Sequence, residues 1–358
     1  MLKTSLGNCA LVNPSKTSFG VVEPQVSIQS PEPLARPSAC LRPQFLTVQR
    51  TSTCRVVERV QQSHRSACSR SIASPKSTAR LPETLDDRRV KVIVTGGNSG
   101  VGAATAATLA AAGHSVVIAC RTIPKAERAA ATMTGDVTIA HLDLADLTSV
   151  RKFADSVDGV DVLINNAGVL GLPLTRTSDG FEAHMGTNYL GHFALTCLLG
   201  DRIKDRVISV VSSAYALSRL HLDDLNWHHR KYSKWSAYGE SKLAVMLFNH
   251  ELTSRGVRTY MTDPGATNTD ITRDATGVVP WIRDHTLRGF PAHSAKTGAR
   301  STIQAVTTDL PSGSYLAPRF NQWGKPKVTK PRAKARDAAM ARQLWEVSVE
   351  LTGCDWPV

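Results

Sequence analysis

"RRVKVIVTGGNSGVGAATAATLAAAG" (residues 88–113) is the stretch that decides the fold. Its first part, 88–97, is a short β-branched run ending in glycines, which reads as a buried strand. Its second part, 98–113, is an Ala-rich helix former that ends at Gly113, a natural C-cap. A glycine turn between a strand and a helix lets backbone N–H groups approach a pyrophosphate, and the helix N-terminus adds partial positive charge. The spacing is Gly96-x3-Gly100-x-Gly102, not the GxGxxG of the ordinary dinucleotide fingerprint. Thr95, Gly96, Asn98, Ser99, Gly100, Val101 and Gly102 are therefore the first candidates for nucleotide contacts.

The same alternation runs outward from this unit. Strands are expected at 114–120, 136–144, 160–168, 205–213, 257–265 and 313–319, and helices at 125–133, 146–157, 180–200, 236–256 and 291–309. Asp146 or Thr148 is placed to cap the 146–157 helix. The strands read as continuous apolar runs, which implies burial on both faces. Seven such strands with intervening helices predict one α/β domain, a doubly wound parallel sheet of the Rossmann type between two helix layers. The domain is expected over 81–330, with a C-terminal helical extension over 331–358. Ligands of such sheets sit beyond the strand C-termini.

The unusual residues cluster at those ends. A carboxylate after the second strand would accept from the ribose hydroxyls of NAD. This chain has Arg121 there, with Lys125 four residues on, which suits the 2′-phosphate of NADP. Asp143, beside Leu144 in "HLDL", is placed to accept from the adenine amino group. "NNAG" (Asn165, Asn166, Ala167, Gly168) offers amides followed by small residues that leave room for a flat ligand. In "SAYGESKLAV" (236–245), Tyr238 and Lys242 share a helix face at i and i+4.

Taken together, "TGGNSGVG", "NNAG", "TNYLGHF", "VVSS", "YGESK" and "DPGATNT", in this order, resemble the short-chain dehydrogenase/reductase family over about 88–310. The segments "ACRTIPKAERA", "HLDLADLTSVRKF", "HLDDLNWHHRKYSKWSAYGESK" and "ARQLWEVSVELTG" are similar to the retinol-dehydrogenase-like branch, which borders the light-dependent protochlorophyllide reductases. The resemblance implies that Tyr238 is the general acid/base. Lys242 would hold the nicotinamide ribose and lower the tyrosine pKa. Ser213 would hydrogen-bond the substrate oxygen, and Asn188 would organise a helix kink and a proton path to the lysine. It matches Gly96, Gly100 and Gly102 to the pyrophosphate turn, Asp143 to the adenine contact and Asn165 to the ribose side. In "DPGATNT", Pro264, Gly265 and Thr267 match the nicotinamide side. Asp263 departs from the branch, where His is frequent.

The chemistry makes parallel demands. Carbonyl reduction builds negative charge on oxygen, so a donor must deliver a proton as hydride arrives. A tyrosine with pKa near 10 is a poor base at neutral pH, and a neighbouring ammonium favours its phenolate. Two aromatic-bearing stretches follow sheet strands: Trp227, Tyr232 and Trp235 before Tyr238, and Trp281 and Phe290 within 268–292. They suggest walls for a lipophilic aldehyde, ketone or alcohol.

The net charge is +13 over 358 residues, but residues 1–80 hold 11 Lys/Arg against three acids. The main body is only mildly basic, and "GKPKVTKPRAKAR" (324–336) reads as a solvated coil entering a helix, so nucleic-acid binding is not expected. The leader 1–80 is rich in Ser, Thr, Pro and Arg, poor in acids and without a long apolar run. It reads as a disordered tail or an organelle transit peptide, to the chloroplast or alternatively the mitochondrion. No membrane span is expected, so membrane contact would be peripheral. Of seven cysteines, Cys120, Cys197 and Cys354 lie in the main body, far apart, which argues against disulfides and a structural zinc. His228 and His229 read as exposed, and no metal site is expected. The family resemblance allows a homo-oligomer through the long helices. Two other functions stay open: a protochlorophyllide-reductase-like plastid enzyme, and a non-catalytic NADP-binding redox-sensing or scaffold subunit.

Overall fold

Residues 89–267, 293–320 and 322–357 are described by the computed structural model. The leader, with its transit-peptide and localisation readings, and the pocket candidates Trp281 and Phe290 lie outside them. The opening stretch folds as read: β1 (Lys91–Thr95) runs through the glycine turn into α1 (Gly100–Ala111), and Gly113 leaves the helix at φ +94°. Next come β2 (Ser115–Cys120), α2 (Ile123–Ala130), β3 (Asp136–His141) and α3 (Leu147–Asp155). Asp146 caps α3, accepting from the N–H groups of Thr148 and Ser149.

After β4 (Val160–Asn165) the long central helix starts in a π-turn, Met185–Leu190, and straightens into α4 (Gly191–Leu199). β5 (Ile203–Val210) leads by short 3₁₀ turns to α5 (Lys234–Ser254), then β6 (Thr259–Thr262). The chain continues with α6 (Ala295–Gly298), α7 (Arg300–Thr307), β7 (Ser314–Pro318), β8 (Pro326–Thr329) and α8 (Ala338–Thr352).

The strand order is β3-β2-β1-β4-β5-β6-β7-β8. All pairs are parallel except β7–β8. The order reverses between β1 and β4, so a crevice opens beyond their C-terminal ends. Both sheet faces are covered. Val92, Val94, Ile118 and Ile164 pack in one core under α1 and α7, and Ile93, Leu163 and Val207 in the other under α3, α4 and α5.

β8 corrects the seven-strand expectation, since the coil expected at 324–336 contains a strand. Its side chains are largely exposed, so it has no apolar signature, and Pro326 and Lys327 are residues that tolerate an edge. α8 is the expected C-terminal extension. Its Trp345 ring lies 4.9 Å from that of Phe193 and 5.8 Å from that of Phe248, and Tyr189 Oη pairs with Ser348 Oγ at 2.7 Å. The face of α4 and α5 is thus occupied by the chain's own last helix. Among the described residues no helix is long and apolar enough to cross a membrane, and no His/Cys/Asp/Glu group could hold a metal. Cys120, Cys197 and Cys354 are free and buried.

Candidate active site

One cavity of about 800 Å³ opens at the C-terminal ends of the parallel strands. Its floor is the glycine turn. Gly96 and Gly100 have φ of +64° and +55°, which side-chain-bearing residues rarely adopt. At Gly102 the reason is space: a Cβ there would lie 2.4 Å from Asn166 Nδ2 and 2.6 Å from the Gly96 carbonyl oxygen. Ser99 precedes α1 without capping it, so the helix presents its first N–H groups uncapped by that side chain at a cavity-lining turn. Close backbone approach and a positive helix end suit a pyrophosphate.

Most sequence-predicted contacts line this cavity: Gly96, Asn98, Ser99, Gly100, Val101 and Gly102 from the turn, then Arg121, Lys125, Asp143 and Leu144. Ala167, Gly168, Tyr238, Lys242, Pro264, Gly265 and Thr267 complete the set. Arg121 is 70% exposed, with Nε 4.0 Å from Asp143 Oδ2. At that distance and exposure the pair is weak, and the guanidinium is available to a ligand anion.

Thr95 and Asn165 do not line the cavity; they stand behind it. Thr95 Oγ1 accepts the N–H groups of Asn166 (2.8 Å) and Ala167 (2.9 Å) and sits 2.9 Å from His192 Nε2. His192 Nδ1 faces the Asn188 carbonyl oxygen at 3.0 Å, so Nδ1 carries the proton and Thr95 donates to Nε2. Burial pushes His192 down to about 4, which keeps it neutral. Asn165 Nδ2 donates to Thr196 Oγ1 at 3.0 Å. These two residues hold the "NNAG" turn in place. Asn166, the second amide of "NNAG", lines the cavity and donates from Nδ2 to the Thr95 carbonyl at 2.7 Å.

Tyr238 and Lys242 are one turn apart on α5, as their spacing requires, and both are buried. Lys242 Nζ donates to the Val210 carbonyl at 2.9 Å, and burial pushes the amine down to about 8 against the opposing pull of Asp263. Burial pushes the Tyr238 phenol up to about 12; a hydrogen bond with the Ser212 hydroxyl lowers it and the Asp263 charge raises it. The lowering expected from Lys242 is therefore not what dominates. A phenol this high is a proton donor at neutral pH.

Asn188 lies in the π-turn, the expected kink. Its side chain holds both main-chain groups of Val169 (2.7 and 3.1 Å) and donates to Ser241 Oγ at 2.9 Å. A Cβ at Gly168 would stand 3.2 Å from Asn188 Oδ1 and 3.6 Å from Lys242 Nζ, so the glycine lets both approach the cavity wall.

The structure separates the two neighbouring serines. Ser213 does not line the cavity; its hydroxyl accepts from Gln322 Nε2 at 2.7 Å. Ser212 lines it and meets the phenol. Ser212 is extended (φ −153°) and caps the 3₁₀ turn beginning at Ser213, so consecutive serines point to opposite sides.

Asp263 is buried beneath the site. It accepts from the Gly265 N–H (2.8 Å), the Tyr315 hydroxyl (3.2 Å) and the Ser213 N–H, and burial pushes it up to about 6. The aromatic walls are realised only in part. Trp235 lines the cavity, but Trp227 is buried under the Arg230 guanidinium, 3.9 Å from its ring centre, and the Tyr232 hydroxyl points into a polar cluster. His228 and His229 are exposed, as expected.

Comparison with known proteins agrees with this geometry. The family described as short chain dehydrogenase matches residues 90–277. Human retinol dehydrogenase 13 is 39% identical over 290 residues, covering 74% of this chain and 85% of that protein. Human polyprenol dehydrogenase is 37% identical over 293 residues, covering 73% and 84%. The crystal structure of an uncharacterized protein from Mycobacterium paratuberculosis is 44% identical, with a TM-score of 0.67, and covers 77% of this chain and 99% of that one.

Proposed function

This chain belongs to the short-chain dehydrogenase/reductase family, in its retinol-dehydrogenase-like branch, and from that premise we propose that it is an NADP(H)-dependent oxidoreductase acting on a lipophilic aldehyde, ketone or alcohol. The observation that carries the reading is that Tyr238, Lys242 and Ser212 share one cavity with the glycine turn and an uncapped helix end. The names of the retinol and polyprenol dehydrogenases support a bulky apolar substrate. They lend no support to light-driven protochlorophyllide reduction. The abundance of Ser in the leader supports the proposal of a chloroplast address, and its Arg content that of a mitochondrial one as the alternative.

The residues fit the cofactor class. The Gly96–Gly102 turn and the α1 N-terminus would hold the pyrophosphate, Asp143 the adenine side, and Pro264, Gly265 and Thr267 the nicotinamide side, with Lys242 toward its ribose. The nicotinamide, when bound, gives or takes the hydride. In reduction, Tyr238 Oη–H donates its proton to the substrate oxygen while the Ser212 hydroxyl hydrogen-bonds the same atom, sharing the developing charge. Oxidation reverses these roles and needs the phenolate.

That requirement sets a pH signature. The phenol is raised, so alcohol oxidation increases into the alkaline range while reduction at neutral pH finds Tyr238 already protonated. Asp263 contributes to the raising, and removing its negative charge favours the phenolate. Asp263→Asn is expected to move the alkaline limb of the oxidation profile to lower pH. An unmoved limb, or one moved upward, contradicts this assignment.

Arg121 and Lys125 support NADP(H) over NAD(H). A hydrogen bond to a charged group contributes about 1.5–3 kcal/mol, so Arg121→Ala should raise the KM for NADPH roughly 10- to 100-fold. The KM for NADH should change little. Equal use of NADPH and NADH by the unaltered enzyme overturns the preference.

A further inference from the structure

A buried polar cluster on the substrate side of Tyr238 has no part in the mechanism above. It joins Glu182 and His184, which precede and enter the π-turn, to Tyr232, which precedes α5. Glu182 and His184 are fully buried.

Its protons can be placed. The Leu172 N–H donates to His184 Nε2 at 3.3 Å, so that nitrogen is bare and Nδ1 carries the hydrogen. Nδ1–H then donates to Glu182 Oε1 at 2.7 Å, and Glu182 Oε2 accepts the Met185 N–H at 2.8 Å. The Tyr232 hydroxyl divides its proton between the Leu172 carbonyl at 3.1 Å and Glu182 Oε1 at 3.0 Å. Burial raises the Glu182 carboxyl, but the hydrogen bond from His184 and the N–H groups of Met185 and His184 work against it and hold it below its ordinary value. Burial and the Glu182 charge raise the Tyr232 phenol, so it stays a donor and is no second acid.

Both main-chain groups of Leu172 are thus held by one cluster, as both groups of Val169 are held by Asn188. Val169, Leu170 and Leu172 all line the cavity, next to Tyr238, whose ring stands edge-on to His184 at 6.3 Å. The wall between Val169 and Leu172 is pinned at both ends. Main-chain groups held from two sides do not yield to a passing ligand, so the wall acts as a fixed template.

Given the oxidoreductase reading above, we propose that Glu182, His184 and Tyr232 form a clamp that fixes the Val169–Leu172 wall, and that Tyr232 is a positioning residue for bulky carbonyl substrates. The clamp sets how the substrate lies against Tyr238 without touching cofactor or reacting atoms. A small carbonyl reaches the phenol without leaning on this wall.

Tyr232→Phe in the full chain tests this, with decanal and propanal as probes. The KM for decanal should rise about tenfold, the size expected for one lost buried hydrogen bond. The KM for propanal, kcat with either aldehyde, and the Kd for NADPH should each stay within about twofold, well inside that loss. Hydrogen exchange at the Leu172 amide should quicken in the same protein. Faster exchange with an unchanged decanal KM overturns the positioning role, and unchanged exchange overturns the clamp. A fall in NADPH affinity or kcat matching the rise in KM makes the role merely structural and also overturns it. If the unaltered protein binds NADPH but reduces neither aldehyde, the enzyme reading fails instead, while exchange at Leu172 still decides the clamp. Should Tyr232→Phe fold poorly, Glu182→Gln gives the same split, because its amide places a donor against the His184 or Met185 N–H.

Discussion

Tyr238→Phe lowers kcat for carbonyl reduction by roughly 10²- to 10⁴-fold, the range for loss of a positioned proton donor, and leaves NADPH binding almost unchanged. The ring stays, so the packing against His184 is kept and the buried helix face of α5 loses no volume. What disappears is a hydroxyl that burial holds protonated and that Ser212 orients. The substrate oxygen then acquires its proton only from water, which is not positioned for the transfer. Stopped-flow measurement of NADPH oxidation beside equilibrium cofactor binding separates the two effects. Equal losses in binding and turnover would make the tyrosine a structural residue.

Ser212→Ala is expected to cost about 10²-fold in kcat, the lower end for removal of one oxyanion donor. Ser213→Ala should cost little. The Ser212 hydroxyl lines the cavity and meets the phenol, whereas that of Ser213 is engaged by Gln322 on the far side of the turn. The Ser212 change also removes a group that holds the Tyr238 phenol down, so the oxidation profile shifts to higher pH in the same variant. Steady-state kinetics of the pair decide the assignment. A large loss in Ser213→Ala with little in Ser212→Ala would restore the position counted from the sequence.

That serine shows where the sequence was legible and where it was not. The glycine turn, Arg121, Asp143, Tyr238 and Lys242 lie where local pattern alone puts them, because each is fixed by a strand end or by helix spacing. In "VVSS" the choice between neighbours depends on where β5 stops pairing, and it stops at Val210, before either serine. Tyr232 was read from its ring as an apolar wall, but its role lies in its hydroxyl, whose partners Glu182 and Leu172 are 50 and 60 residues away. Thr95 and Asn165 fell on the right strand ends but on the inward side, an orientation that β alternation determines only once the sheet partners are known. β8 was invisible because an exposed edge strand has no apolar run to announce it. Asp263 was visible as an oddity, and its position below Lys242 and Tyr238 became clear only in three dimensions.

The most direct measurement is the turnover of the unaltered full chain with NADPH, and with NADH for comparison, across a series of aldehydes of increasing apolar length. The account predicts reduction that strengthens with chain length and prefers NADPH. Tight NADPH binding with no aldehyde reduced at any length would contradict it and leave a cofactor-binding protein without turnover.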